Sequence, residues 1–198
     1  MPTMNTNQTI IRETILKRRS YRAFSEKPLD SDTLQVLFTS AQWVASSFNE
    51  QPWRFVYASK KDDPAGFDTL LGFLTDANRV WAKEAPVLMA VLASARFAKT
   101  GEENRHAMYD AGQAMSALAI QAAAMDIYIH QMAGFDMNKV TEAFKLGKDF
   151  IPAAMVAIGY KGDPDQLNDE LKKREQAERS RKSVKEVAFR FSENLTIK

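Results

Sequence analysis

With 198 residues the chain has the length of one ordinary domain, enough to bury about 70% of the surface that its unfolded form exposes. Its 45% hydrophobic and 26% charged residues, with 8 glycines and 7 prolines, exclude disordered, collagen-like and low-complexity classes. The absence of cysteine excludes disulfides, cysteine-ligated zinc, iron–sulfur clusters and thiol nucleophiles, while the net charge of only +2 hides an uneven distribution.

In chain order, residues 1–8 are expected to be flexible, and Thr9 to Arg18 reads as a helix whose Ile10, Ile11, Ile15 and Leu16 recur at helical spacing. It ends in Lys17, Arg18, Arg19 and Arg22, a charge of +4. Ser31 is expected to cap a second helix carrying Leu34, Leu37, Phe38, Ala41 and Val44. A polar loop from Ser46 to Pro52 precedes a strand over Trp53–Ala58 and a short helix over Asp63–Phe73. Two continuous apolar runs, Pro86–Ala93 and Ile151–Ile158, predict strands in a sheet covered on both faces. Between them Glu102 to Met125 predicts a long helix, apolar all round, whose small residues suit a dimer core. A shorter helix over Phe135–Phe144 follows a turn at Gly134. In the tail, Val187, Phe189 and Phe191 alternate at the strand period and need a sheet edge to join.

A second basic cluster, Lys172 to Lys185, holds seven bases against two acids, so the two clusters carry +9 and the remainder −7. That partition does not suit a general nucleic-acid binder; it suits positive charge concentrated on one anionic site. No apolar segment of secretory or membrane-spanning type occurs, which predicts a soluble, cytoplasmic protein without membrane contact. His106 and His130 lack metal-ligand spacing, and no dinucleotide, P-loop or nucleophile-elbow motif is present, so neither a metal nor a protein nucleophile is expected.

Four segments, read together, carry a resemblance. Arg18-Arg19-Ser20-Tyr21-Arg22-Ala23-Phe24 is followed by Ala45-Ser46-Ser47-Phe48-Asn49-Glu50-Gln51-Pro52-Trp53-Arg54-Phe55. Then come Gln131-Met132-Ala133-Gly134-Phe135, and finally Arg179-Ser180-Arg181-Lys182. In this order they resemble the signatures of the nitroreductase family of FMN-dependent oxidoreductases, with Ala45 in place of the family's usual proline and Ala133 where some members carry glutamate.

The resemblance implies an α+β fold, a mainly antiparallel sheet flanked by helices, in an intertwined homodimer with the whole chain forming one domain. It implies that Arg18, Ser20, Arg179 and Arg181, with Arg19 in the same cluster, bind the FMN phosphate. Arg22 would lie near the N1 edge of the flavin and Asn78 would bond its pyrimidine ring. The turn formed by Gln131, Met132, Ala133 and Gly134 would cover the ring, and Ser46, Ser47 and Asn49 would reach the cofactor of the other subunit. The implied reaction is ping-pong, from NADH or NADPH through the flavin to a nitroaromatic, a quinone or another small electron acceptor. Two alternatives stay open: the same cofactor with another substrate, as in dehalogenases and azoline or diketopiperazine oxidases, and a flavin-binding protein without turnover.

Overall fold

A computed structural model describes residues 12–191; the expected flexibility of 1–8 and the helix start at Thr9 lie outside the described residues. The strands β1 (Trp53–Ser59), β2 (Val87–Ser94), β3 (Ile127–Met132) and β4 (Phe150–Tyr160) form one sheet in the order β1-β2-β4-β3. Every neighbouring pair is antiparallel. Around it lie the helices α1 (Glu13–Lys17), α2 (Ser31–Gln42), α3 (Pro64–Phe73), α4 (Asp76–Ala82), α5 (Ala107–Ala124), α6 (Met137–Ala143) and α7 (Asp169–Gln176).

The continuous apolar runs are the two central strands, and alternation sends their side chains to two cores. Val87, Met89, Val91 and Ala93 of β2 join Val156 and Ile158 of β4 beneath α2 and α5. Leu88, Ala90 and Leu92 join Met155 and Ala157 on the other face, against Phe67, Leu70 and Phe73 of α3 and Trp81 of α4. The sheet is covered on both faces, as its apolar runs require.

Several elements depart from expectation for identifiable reasons. Asp30 rather than Ser31 caps α2, its carboxylate accepting the Thr33 N–H at 2.7 Å. The long helix starts at Ala107, not Glu102, because the Asn104 N–H bonds Ala95 O at 2.7 Å and Glu103 bridges to Arg96. Nor is α5 buried all round within one chain: Ala111, Ala114, Met115 and Leu118 face the core while Met108, Tyr109, Gly112 and Ser116 are exposed. Elements β3, α4 and α7 escape the apolar periodicity. In α7 the sequence DELKKREQ offers Leu171 as its one apolar side chain, and the helix relies on its Asn168 cap. The tail is not a strand up to Phe191, where the described residues end: Val187, Phe189 and Phe191 are exposed, since neither sheet edge of this chain receives them and an extended backbone needs a ladder partner.

The end of β4 anchors the segment that follows α1. Phe24 bridges to Lys161, the Ser25 N–H bonds Tyr160 O at 2.9 Å and the Gly162 N–H bonds Ala23 O at 2.8 Å. A Cβ at Gly162 would lie 2.5 Å from the Phe24 carbonyl, a backbone contact with no side chain to yield. Gly162→Ala is therefore expected to destabilise the fold by about 1–3 kcal/mol, whereas Gly147→Ala, with open space around it, is expected to be neutral or slightly stabilising. Chemical denaturation midpoints of the two variants check this.

Candidate functional site

The short α1 stops at Lys17, and the next residues turn across the C-terminal segment. Arg179 donates to the carbonyls of Leu16 at 2.5 Å and Arg18 at 2.6 Å, so residues from opposite ends of the chain lie side by side. Ser20 Oγ accepts weakly from the Arg18 guanidinium at 3.4 Å. Burial, and then the nearby charges of Arg179 and Arg181, pull Arg18 below the ordinary guanidinium range. Among the described residues no carboxylate pairs with Arg18, Arg179 or Arg181. Three crowded guanidiniums without a counter-charge form a site that favours an anion.

Arg19 does something else. Its guanidinium donates to the main-chain carbonyls of Glu175 and of Ala177, the latter at 2.8 Å, tying the C-terminal turn of α7 to the N-terminal segment. It is thus a clamp on the backbone rather than a member of the converging cluster. Glu175, only 4% exposed, accepts the Arg22 N–H on both carboxylate oxygens and the Ala23 N–H on one, all at 3.0 Å. The Arg22 guanidinium lies 5.9 Å over the Trp81 ring; burial draws its pKa down and the Glu175 charge opposes that. His130 of β3, its ring centroid 4.5 Å from that of Trp81, meets Tyr21 O at 2.9 Å through Nδ1. Desolvation pushes the His130 pKa down to about 4, more than its hydrogen bond to Tyr21 raises it.

The expected turn begins inside a strand: Gln131 and Met132 close β3, and Ala133 and Gly134 leave it. Gly134 O accepts from Thr75 N at 3.0 Å, from Thr75 Oγ1 at 3.1 Å and from Asn78 Nδ2 at 3.0 Å. A Cβ at Gly134 would stand 2.7 Å from Asn78 Nδ2, so glycine is what permits α4 to approach this closely. Asn78 and the Gln131–Gly134 segment, 53 residues apart at their nearest, are brought together.

Ser46, Ser47 and Asn49 lie elsewhere. The Ser47 N–H donates to the buried Asp110 of α5 at 3.0 Å, Ser46 Oγ accepts the Gln51 N–H at 2.9 Å, and Phe48, Asn49 and Gln51 all have positive φ. The loop leads into Trp53, which pairs with Ala93, itself opposite Ile151 at the start of β4. Arg22 to Ser25 are anchored beside Tyr160 and Lys161 at its far end. Ten residues of strand separate the two, roughly 30 Å. Ser46, Ser47 and Asn49 of a single chain therefore stand too far from the Arg18–Arg22 segment to hold one mononucleotide together with it.

Fold and site together define an α+β class: an antiparallel sheet between helix layers, with a basic cluster in which Arg18 and Arg179 meet. Solved structures share the fold. One described as an oxidoreductase containing FMN superimposes with a TM-score of 0.84 at 32% identity, covering 92% of this chain and 93% of that one. A nitroreductase-family protein of Streptococcus pneumoniae, at 20% identity and a TM-score of 0.70 over 90% of this chain and 98% of its own, shares the fold. The chain belongs to the nitroreductase family, whose pattern matches residues 15–160 and whose members are oxidoreductases. It is similar also to a Stenotrophomonas maltophilia protein provisionally named an NADH dehydrogenase/NAD(P)H nitroreductase, 30% identical over 167 residues, 75% of this chain and 83% of the relative. An uncharacterised 15.4 kDa protein of Mycolicibacterium smegmatis is 35% identical over 126 residues, 62% of this chain and 81% of that protein.

Sequence reasoning passed over Glu175, counted only as an acid within a basic run, and Asp110. An acid among seven bases, or the one acid of an alanine-rich helix, was the available signal. His130 has a measurable consequence. The unfolded chain takes up its proton near pH 6.5 and the folded chain only near pH 4, so the stability contributed by neutral His130 is complete above pH 6.5 and is lost as pH falls toward 4. The loss reaches roughly 3 kcal/mol at the acid end, from about 1.36 kcal/mol per pH unit. Unfolding midpoints measured from pH 7 to pH 4.5 are expected to fall less steeply for His130→Gln than for the wild type.

Proposed function

We propose that the protein is an FMN-dependent NAD(P)H oxidoreductase that reduces nitroaromatic, quinone or related small electron acceptors. The observation that carries this reading is the convergence of Arg18, Arg179 and Arg181 from opposite chain ends with no carboxylate to pair them. Its support outside the chain is the FMN of the 32%-identical solved relative and the NAD(P)H nitroreductase name of the Stenotrophomonas protein.

The residues fit a mononucleotide. Arg18, Ser20, Arg179 and Arg181 would hold its terminal phosphate, forked donors matching phosphate oxygens. Arg22, fixed through its backbone by Glu175, would present a positive charge to the pyrimidine edge, and Asn78 with the Ala133–Gly134 backbone would meet the ring. Bound there, FMN supplies the capacity to accept hydride from NAD(P)H and deliver it to an acceptor. The protein's part is to bind, orient and stabilise negative charge.

Ser46, Ser47 and Asn49 would complete the site from a second copy of the chain. The roughly 30 Å along β4 supports that arrangement. So does the apolar surface exposed on one chain: Trp43 at 86%, Phe48 at 92%, Met108 and Tyr109 on α5, and the tail with Val187, Phe189 and Phe191, which a partner's sheet edge would accommodate.

Three outcomes are expected. Titration of apo protein with FMN, followed by flavin fluorescence, should show Arg18→Ala and Arg181→Ala each weakening binding by roughly 1.5–3 kcal/mol, with non-additive effects in the double variant. Arg96→Ala, whose side chain pairs with Asp149 instead, should bind FMN like the wild type; equal affinities throughout would reject the phosphate site. Steady-state kinetics with NAD(P)H and a quinone should give parallel double-reciprocal lines, as donor and acceptor use one pocket in turn, and light scattering should show a dimer. Intersecting lines would reject the shared pocket, and a monomer that retains FMN would reject the shared site.

A further inference from the structure

Two carboxylates are buried among the described residues, Asp110 in α5 and Glu175 in α7. Glu175 sits in the last turn of the eight-residue α7, at the negative end of the helix dipole, where a carboxylate is unfavourable. One turn earlier on the same face, Leu171 packs against the core that contains Phe24 and Trp81. Burying a charge beside it is costly unless hydrogen bonds replace the lost water. They do: the backbone N–H groups of Arg22 and Ala23 both donate to Glu175, at 3.0 Å.

The same short stretch is held from the other side. Arg19 donates to the carbonyls of Glu175 and Ala177, which the helix end leaves without intrahelical partners. Two residues further on, Arg179 reaches back to Leu16 O and Arg18 O. Donors from residues 19, 22 and 23 thus converge on residues 175–177, and the three guanidiniums of the anion site emerge on either side of this seam. Their mutual repulsion works against that assembly, while the charge of the buried Glu175 acts on the neighbouring Arg22.

We propose that Glu175 is the positioning residue of the anion site: its carboxylate locks the Arg22–Ala23 backbone to α7, so that Arg18, Arg179 and Arg181 address one phosphate group. This rests on the reading of that cluster as the FMN phosphate site. It makes Glu175 a determinant of how strongly the protein prefers a phosphorylated flavin to the phosphate-free one. The effect has an unusual sign. Through charge alone, removing a carboxylate near an anion site would strengthen phosphate binding. Through positioning, removing it weakens phosphate binding.

The test titrates apo wild type, Glu175→Gln, Glu175→Ala, Arg19→Ala and Arg18→Ala with FMN and, separately, with riboflavin, following flavin fluorescence and recording the thermal midpoint of each. Wild type is expected to bind FMN far more tightly than riboflavin. Glu175→Gln, which keeps the size and one acceptor oxygen, should lose at least tenfold of that preference, with riboflavin affinity within about twofold of wild type. Glu175→Ala should lose more, and Arg19→Ala should lose part of it by releasing the opposite side of the seam. If the Glu175 variants and Arg19→Ala keep the wild-type preference, whatever their thermal midpoints, or if FMN binds more tightly to Glu175→Gln, the positioning role is overturned while the phosphate reading stands. If wild type and Arg18→Ala alike fail to prefer FMN over riboflavin, the phosphate reading itself falls, and this proposal with it.

Discussion

Like charges crowd together only where something holds them, and the site of this protein is organised around that constraint. Arg18, Arg179 and Arg181 repel one another, and burial adds to the penalty. What gathers them is not a set of ion pairs but backbone geometry. Arg179 seizes two carbonyls at the end of α1, Arg19 seizes two at the end of α7, and Glu175 takes two N–H groups in return. Main-chain groups left over at the ends of two short helices are thereby satisfied by side chains of the opposite terminus. The resulting patch has its positive charge fixed before any ligand arrives, the condition under which electrostatic stabilisation requires little reorganisation.

The sheet imposes the second constraint. Strand β4 pairs with β2 on one side and β3 on the other, and its two ends position two different sets of candidate residues. Its start lies across β2 from Trp53, where the Ser46–Gln51 loop enters the sheet, and its end anchors Arg22–Ser25 and, through Gly162, the Ala23–Phe24 backbone. A rigid antiparallel strand does not fold back, so within one chain these parts stay apart. The left-handed backbone at Phe48, Asn49 and Gln51 is held by Asp110 and by the Glu50 carboxylate, which accepts the Ala98 N–H at 2.9 Å. Such a loop is built for a conformation rather than for packing within its own chain.

Much of the architecture is legible from one dimension. Val87–Ser94 and Phe150–Tyr160 are apolar without interruption because both faces are covered, and that alone places them centrally. The signature Ser46-Ser47-Phe48-Asn49 and the two arginine clusters are read from residue type and spacing. Elements whose cohesion comes from elsewhere are less legible. Helix α7 is almost entirely charged and depends on a cap, one leucine and a buried glutamate, while α4 is seven residues of mixed character pinned by Gly134. Val187, Phe189 and Phe191 show a strand pattern that meets no neighbouring strand among the described residues.

Hydrophobic period, charge clustering and signature spacing are local properties, so the sequence by itself determined the family, the covered sheet and the identity of the basic residues. It could not say that Arg19 clamps a backbone while Arg18 lies beside Arg179 and Arg181, since adjacent residues differ only in what the rest of the fold brings beside them. Nor could it reveal that Glu175 is buried beneath Arg22, 153 positions away, or that Asn78 bonds Gly134. Those were decided by tertiary structure alone. Hydrogen bonds between distant residues depend on the register of β4 and the docking of short helices, and neither leaves a periodic trace in the chain.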